Sequence, residues 1–115
     1  NRGTLIGGQL LPGFTTQLKS MHQNTKNLSI PENIFIPTNN FEISTSKAML
    51  RGVYNSIIGA IHLSFDPKKD LLILCGGDAN LIGKSLKKEI KNILIETNLV
   101  MYGMILSSSK HMALT

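Results

Sequence analysis

Leu74-Cys75-Gly76-Gly77-Asp78-Ala79 joins a short apolar run, Leu71–Cys75, to a stretch with helical spacing. Paired glycines at such a junction let a ligand reach the backbone, because no Cβ stands in the way. The N-terminus of the following helix adds free N–H groups and the positive end of a dipole. The chemistry this suits is the holding of a phosphate or another electron-rich group. It would happen at the carboxyl end of a strand, where open α/β sheets take their ligands. Taken alone, the same turn serves equally well to bend a strand into a helix. Two further units accompany it. Gly7-Gly8-Gln9-Leu10-Leu11-Pro12-Gly13 combines a glycine pair with a Pro-Gly helix start, and alone reads as a hairpin. Ser44-Thr45-Ser46-Lys47-Ala48-Met49, followed by Gly52, places hydroxyls where a helix begins, and Thr45 could be no more than its cap.

Other chemistries find little support. Glu42, Asp66 and Asp70 fall in loops and Glu89 and Glu96 near helix ends, so no acid–base pair stands out. Asp78 reads first as a helix cap rather than a base. His22, His62 and His111 share no metal-ligand spacing. Cys75 is the one cysteine, which excludes an internal disulfide; inside an apolar run, with no Cys/His constellation around it, it reads as a buried small hydrophobe.

The elements that must position these units follow from periodicity. Thr4–Ile6 and Gln9–Leu11 are short apolar stretches, broken by Gly7-Gly8 as by a bulge or a close backbone approach. Phe14, Leu18 and Met21 recur at helical spacing and predict a helix over 12–23. Residues 24–40, rich in Asn, Ser, Thr and Pro, read as a long connection holding a short strand at Ile34–Ile36. A second helix starts at Ser44 or Thr45 and presents Met49, Leu50, Val53, Tyr54, Ile57, Ile58, Ile61 and Leu63 as a broad apolar face. Gly52 and Gly59 cost such a helix about 1 kcal/mol each, which points to tight packing against another helix or a subunit. Asp66–Asp70 is a turn. Leu71–Cys75 is expected as a strand buried on both faces. A third helix follows, capped by Asp78 or Asn80, with Ile82, Leu86 and Ile90 buried and Lys84, Lys87, Lys88 and Lys91 on its wet side. Ile93–Ile95 is expected as the last strand and Asn98–Ser108 as a closing helix. The order strand, helix, helix, strand, helix, strand, helix predicts an α/β layer.

At 115 residues the chain is one domain, able to bury roughly two-thirds of its unfolded surface. Hydrophobic residues make up 42% of it, which predicts a folded core; aromatics are only 5%, so that core must be Leu, Ile and Met. The net charge is +5; the basic residues are spread apart from Lys84, Lys87, Lys88 and Lys91, and no aromatics interleave with those four, so a stacking platform for nucleic acid is not expected. Neither a membrane span nor a signal peptide is visible, which fits the cytoplasm. The chain opens on Asn1 and goes straight into a strand-like stretch, so an N-terminal portion is expected to be missing.

Together and in this order, the motifs resemble the C-terminal half of the type III pantothenate kinases. That family is similar to the acetate kinase/sugar kinase/Hsp70/actin superfamily, whose domains have an RNase H-like fold. Its pattern runs GG-x-I-x-PG, then T-A-x-L-P, G-x-x-T-x-x-A-x-x-x-G, T-GG-D-A and L-V-L-x-G-L. Gly7–Gly13 matches the first motif closely, and Thr25-Lys26-Asn27-Leu28-Ser29 keeps the Thr and Leu of the second. Glu42–Ala48 keeps Thr45 and Ala48 of the third, with Glu42 where the family has Gly. Cys75–Ala79 matches the fourth with Cys75 in place of Thr, and Leu99–Met104 follows the last in outline.

The resemblance implies an RNase H-like α/β domain of actin/sugar-kinase type, a mixed sheet flanked by helices, spanning 1–115. It implies that Gly76 and Gly77 contact the adenosine of ATP, that Gly7 and Gly8 lie beside the nucleotide, and that Thr45 reaches pantothenate across a homodimer interface. ATP would come with Mg²⁺, and a monovalent cation, potassium or ammonium, would be held by residues outside the chain. The family's phosphate loop, general-base aspartate and cation-binding aspartate all lie upstream of the first motif, where only Asn1–Ile6 stands here. No catalytic residue is therefore expected in this chain, and alone it should be inactive, since phosphoryl transfer depends on positioning and charge neutralisation around the phosphates. A second reading, from a different class, is a non-catalytic, degenerate kinase-like accessory or regulatory module.

Overall fold

The computed structural model describes residues 3–98 and 105–106. Helix α1, Phe14–Asn24, begins after Pro12-Gly13 and turns Phe14 and Leu18 inward at i, i+4 spacing. Helix α2, Thr45–Ser64, is the longest element at 20 residues. The Ser44 hydroxyl caps it by accepting the Lys47 N–H at 3.2 Å. Strand β1, Leu72–Leu74, leads through the Gly76-Gly77 turn to helix α3, Ala79–Leu86, and strand β2 is Ile93–Ile95. The two strands lie parallel, with Leu72 opposite Ile93 and Leu74 opposite Ile95. α3 is thus the crossover of a βαβ unit.

One core joins these elements. Phe14 and Leu18 of α1 meet Met49, Leu50, Val53, Tyr54 and Ile57 of α2, and Ile82, Leu86 and Ile90 close the cluster from the α3 side. The Tyr54 hydroxyl hydrogen-bonds the Ser85 hydroxyl, tying α2 to α3. Ser56 donates to Gln17 Oε1 at 2.9 Å, tying α2 to α1. The Arg51 guanidinium lies 5.2 Å from the Tyr54 ring centroid and donates to the Pro37 carbonyl, which fastens the long connection onto α2.

Several expectations are corrected. Residues 4–6, 9–11 and 34–36 form no strand, because no partner strand lies beside them among the described residues. The sheet of the described residues is parallel and two-stranded rather than mixed. With so few strands, β1 is half-buried, Ile73 is exposed, and Cys75 is exposed rather than buried. Gly52 and Gly59 meet no neighbour within 4 Å of a built Cβ, so the expected tight packing is not made within this chain. Lys84, Lys87, Lys88 and Lys91 are exposed as expected, although only Lys84 lies on the helix. Leu99–Met104, and with it most of the predicted closing helix, lies outside the described residues. Among the described residues no helix is long and apolar enough to cross a membrane.

Candidate functional site

The turn after β1 is built as the glycine pair requires. Gly76 has φ +93°, a conformation that side-chain-bearing residues rarely adopt. Its N–H reaches the Thr97 carbonyl at 3.4 Å, which ties this turn to the one after β2. Gly76 and Gly77 are exposed, and a Cβ on either would meet nothing within 4 Å, so their backbone is open to a ligand. The Ala79 N–H turns back to the Gly76 carbonyl at 3.3 Å, which sets the start of α3.

Asp78 occupies the N-cap position of α3, but its side chain makes no bond to that helix. The expected cap is corrected here. The carboxylate instead accepts the Phe14 N–H at 3.3 Å, at the N-terminus of α1. This reach across 64 positions brings the end of the Gly7–Gly13 unit against the Gly76-Gly77-Asp78 turn. Sequence reasoning missed it, since a residue just before a helix reads as that helix's own cap.

Gly7 and Gly8 lie elsewhere, along an open cleft of about 860 Å³. Ile6–Gln9 and Leu11 form one wall, the C-terminal half of α2 another, and Lys69–Leu72 the third. Gln9 donates to the Ser64 hydroxyl at 3.1 Å and holds this wall to α2. The lining is mostly apolar, through Ile6, Leu11, Ile57, Ile61, Phe65 and Leu72. The cleft adjoins the amino end of β1, and Gly76-Gly77 follow its carboxyl end, beyond a strand about 7 Å long. The two glycine pairs therefore sit at opposite ends of β1, linked through Asp78 and Phe14.

Thr45 opens α2 and is exposed. Because Ser44 caps the helix, the Thr45 hydroxyl is not used for capping. Ile57, the first α2 residue to line the cleft, is about 18 Å away along the helix axis, so Thr45 stands apart from the Gly7-Gly8 cleft. Nearby, Glu42 is half-buried and accepts the Asn39 N–H at 3.1 Å, closing a turn in front of the helix. Among the described residues, no group of three His, Cys, Asp or Glu could hold a metal ion.

Comparison with known proteins gives these units a common origin. The profile of the type III pantothenate kinase family matches residues 1–66, a span that includes Gly7, Gly8 and Thr45. A type III pantothenate kinase of Acinetobacter baumannii (strain ACICU) is 35% identical over 102 residues, covering 86% of this chain and 39% of that protein. One of Synechococcus elongatus is 32% identical over 107 residues, covering 88% and 42%. One of Porphyromonas gingivalis (strain ATCC 33277) is 29% identical over 109 residues, covering 89% and 43%. The chain thus spans about two-fifths of the length of the curated relatives it matches. No solved structure matches it. Since the matched profile takes in more than half of the residues and two of the three motif units, the chain belongs to the type III pantothenate kinase family.

Proposed function

We propose that this chain is the C-terminal, nucleotide- and substrate-binding part of a cytoplasmic type III pantothenate kinase with an RNase H-like domain. The complete enzyme transfers the γ-phosphate of ATP to pantothenate, giving ADP and 4′-phosphopantothenate on the way to coenzyme A. The observation that carries this reading is the family match over residues 1–66.

In this reading the chain binds and orients, and the rest of the enzyme supplies the phosphate loop and the base. The Gly76-Gly77 backbone lies against the adenosine of ATP, where a side chain would obstruct the approach. Gly7 and Gly8 flank the nucleotide from the first motif, beside the open, mostly apolar cleft. Thr45 donates or accepts a hydrogen bond to pantothenate across a homodimer interface formed around α2. Such positioning lowers the barrier by fixing the hydroxyl of pantothenate in line with the γ-phosphorus. Mg²⁺ and the potassium or ammonium ion would shield the phosphate charge when bound; among the described residues no group of three His, Cys, Asp or Glu stands ready to hold either.

ADP release by the complete gene product, measured with ATP, Mg²⁺ and potassium or ammonium, tests the proposal. Turnover should require pantothenate, and Thr45→Ala should reduce it by at least tenfold. A folded gene product that releases no ADP with pantothenate would overturn the kinase reading in favour of a non-catalytic relative.

A further inference from the structure

The link between the two glycine units rests on one carboxylate. Asp78 follows Gly77 directly, and Phe14 follows Gly13 directly, so the 3.3 Å bond between Asp78 Oδ2 and the Phe14 N–H joins the downstream end of one unit to that of the other. A Cβ built on Gly13 would stand 3.6 Å from the same oxygen, which places Gly13 itself against Asp78. The Pro12-Gly13 corner is also held from its other side. Gln17 Nε2 donates to the Pro12 carbonyl at 2.9 Å, the Gln17 N–H to the Gly13 carbonyl at 3.0 Å, and Ser56 of α2 holds Gln17. The carboxylate is well matched to its place, because negative charge is favoured at a helix N-terminus and α1 has no acidic residue in its own first turn. Asp78 gives up the cap of α3 to make this bond.

We infer that Asp78 is a positioning residue. By latching the N-terminus of α1, it sets the separation and orientation of the Gly76-Gly77 turn relative to the Gly7–Gly13 segment, and so the affinity for the nucleoside triphosphate. The inference rests on the reading of the Gly76-Gly77 turn as nucleotide-contacting. Asp78 touches neither reacting atom; it acts through the two loops, whose backbone must be held in place before a ligand arrives.

Two substitutions separate the latch from general support. In Asp78→Ser the hydroxyl is too short to reach Phe14 but is able to cap α3, which preserves the helix. In Asp78→Asn the amide oxygen still accepts the Phe14 N–H. In the serine variant, amide exchange at Phe14 should quicken at least tenfold while the Gln17 amide, bonded within α1, stays protected. In the complete gene product, KM and the equilibrium dissociation constant for ATP should rise about tenfold, with KM for pantothenate within twofold. The asparagine variant should stay within about threefold of the parent in every readout. Unchanged Phe14 exchange, release of both amides together, or an ATP affinity that ignores the lost latch would each overturn the inference. So would an asparagine variant as impaired as the serine one, since that would point to the carboxylate's charge rather than its bond. A parent that binds ATP but turns over no pantothenate would defeat the kinase reading and leave the latch standing; a parent that binds no ATP would defeat both.

Discussion

Ser44 and Thr45 are neighbours of similar chemistry with separate tasks. The Ser44 hydroxyl accepts the Lys47 N–H, so Ser44→Ala should lower stability by about 1 kcal/mol, read from the urea midpoint. Thr45 is exposed and not needed for the cap, so Thr45→Ala should change stability by no more than about 0.5 kcal/mol while removing the proposed contact to pantothenate. Opposite effects in the two assays would show that hydroxyl number 45 serves a ligand and not the helix. Gly83 makes a different kind of point. It is buried where α3 crosses β2, and a Cβ there would lie 2.2 Å from Ile95 Cδ1 and 2.7 Å from Ile95 Cγ1. Relief requires rotation about the stiff χ1 of a β-branched side chain. Gly83→Val should therefore destabilise the chain by about 1–3 kcal/mol in a denaturant titration.

The elements differ in how far local sequence announces them. α1 and α2 were legible because their apolar residues recur at helical spacing and their starts carry Pro12-Gly13 and Ser44. β1 and β2 were legible as short apolar runs between turn residues. What a strand packs against was not legible. Leu71–Cys75 reads as buried on both faces, yet Ile73 and Cys75 are exposed because the described sheet ends at two strands. Thr4–Ile6 and Gln9–Leu11 have strand-like composition and no strand partner, and composition alone pairs nothing. In the candidate site the motifs were legible, whereas the Asp78–Phe14 bond, which spans the chain from one motif to another, carries no local signal. Helix α2 yields a prediction at this scale. Gly52 and Gly59 face open space within the chain, so replacing either with Ala should stabilise the isolated chain by about 0.5–1 kcal/mol through helix propensity. If α2 forms the proposed homodimer interface, the same substitutions should weaken self-association in sedimentation experiments, because a methyl group then meets the facing helix.

Viewed whole, the chain combines a net charge of +5 with a large apolar exposure. Leu5, Ile6, Leu10, Leu63 and Leu71 are all more than half exposed, and Ile6 and Leu71 line the cleft beside β1. Patches of this kind drive association, and a uniform positive charge opposes it through self-repulsion. Added salt shortens the range of that repulsion to about 3 Å at 1 M. The isolated chain should therefore self-associate more strongly at 0.5 M than at 0.05 M sodium chloride, as read by light scattering; the reverse trend would mean that ionic contacts dominate. The exposure of Cys75 has a further use. As the one thiol of the chain, placed directly before Gly76-Gly77, it can take a single fluorescent maleimide without competing labels. A dye there would stand at the mouth of the glycine turn, and a change in its emission on adding ATP would test in real time the proposal that a nucleotide binds there.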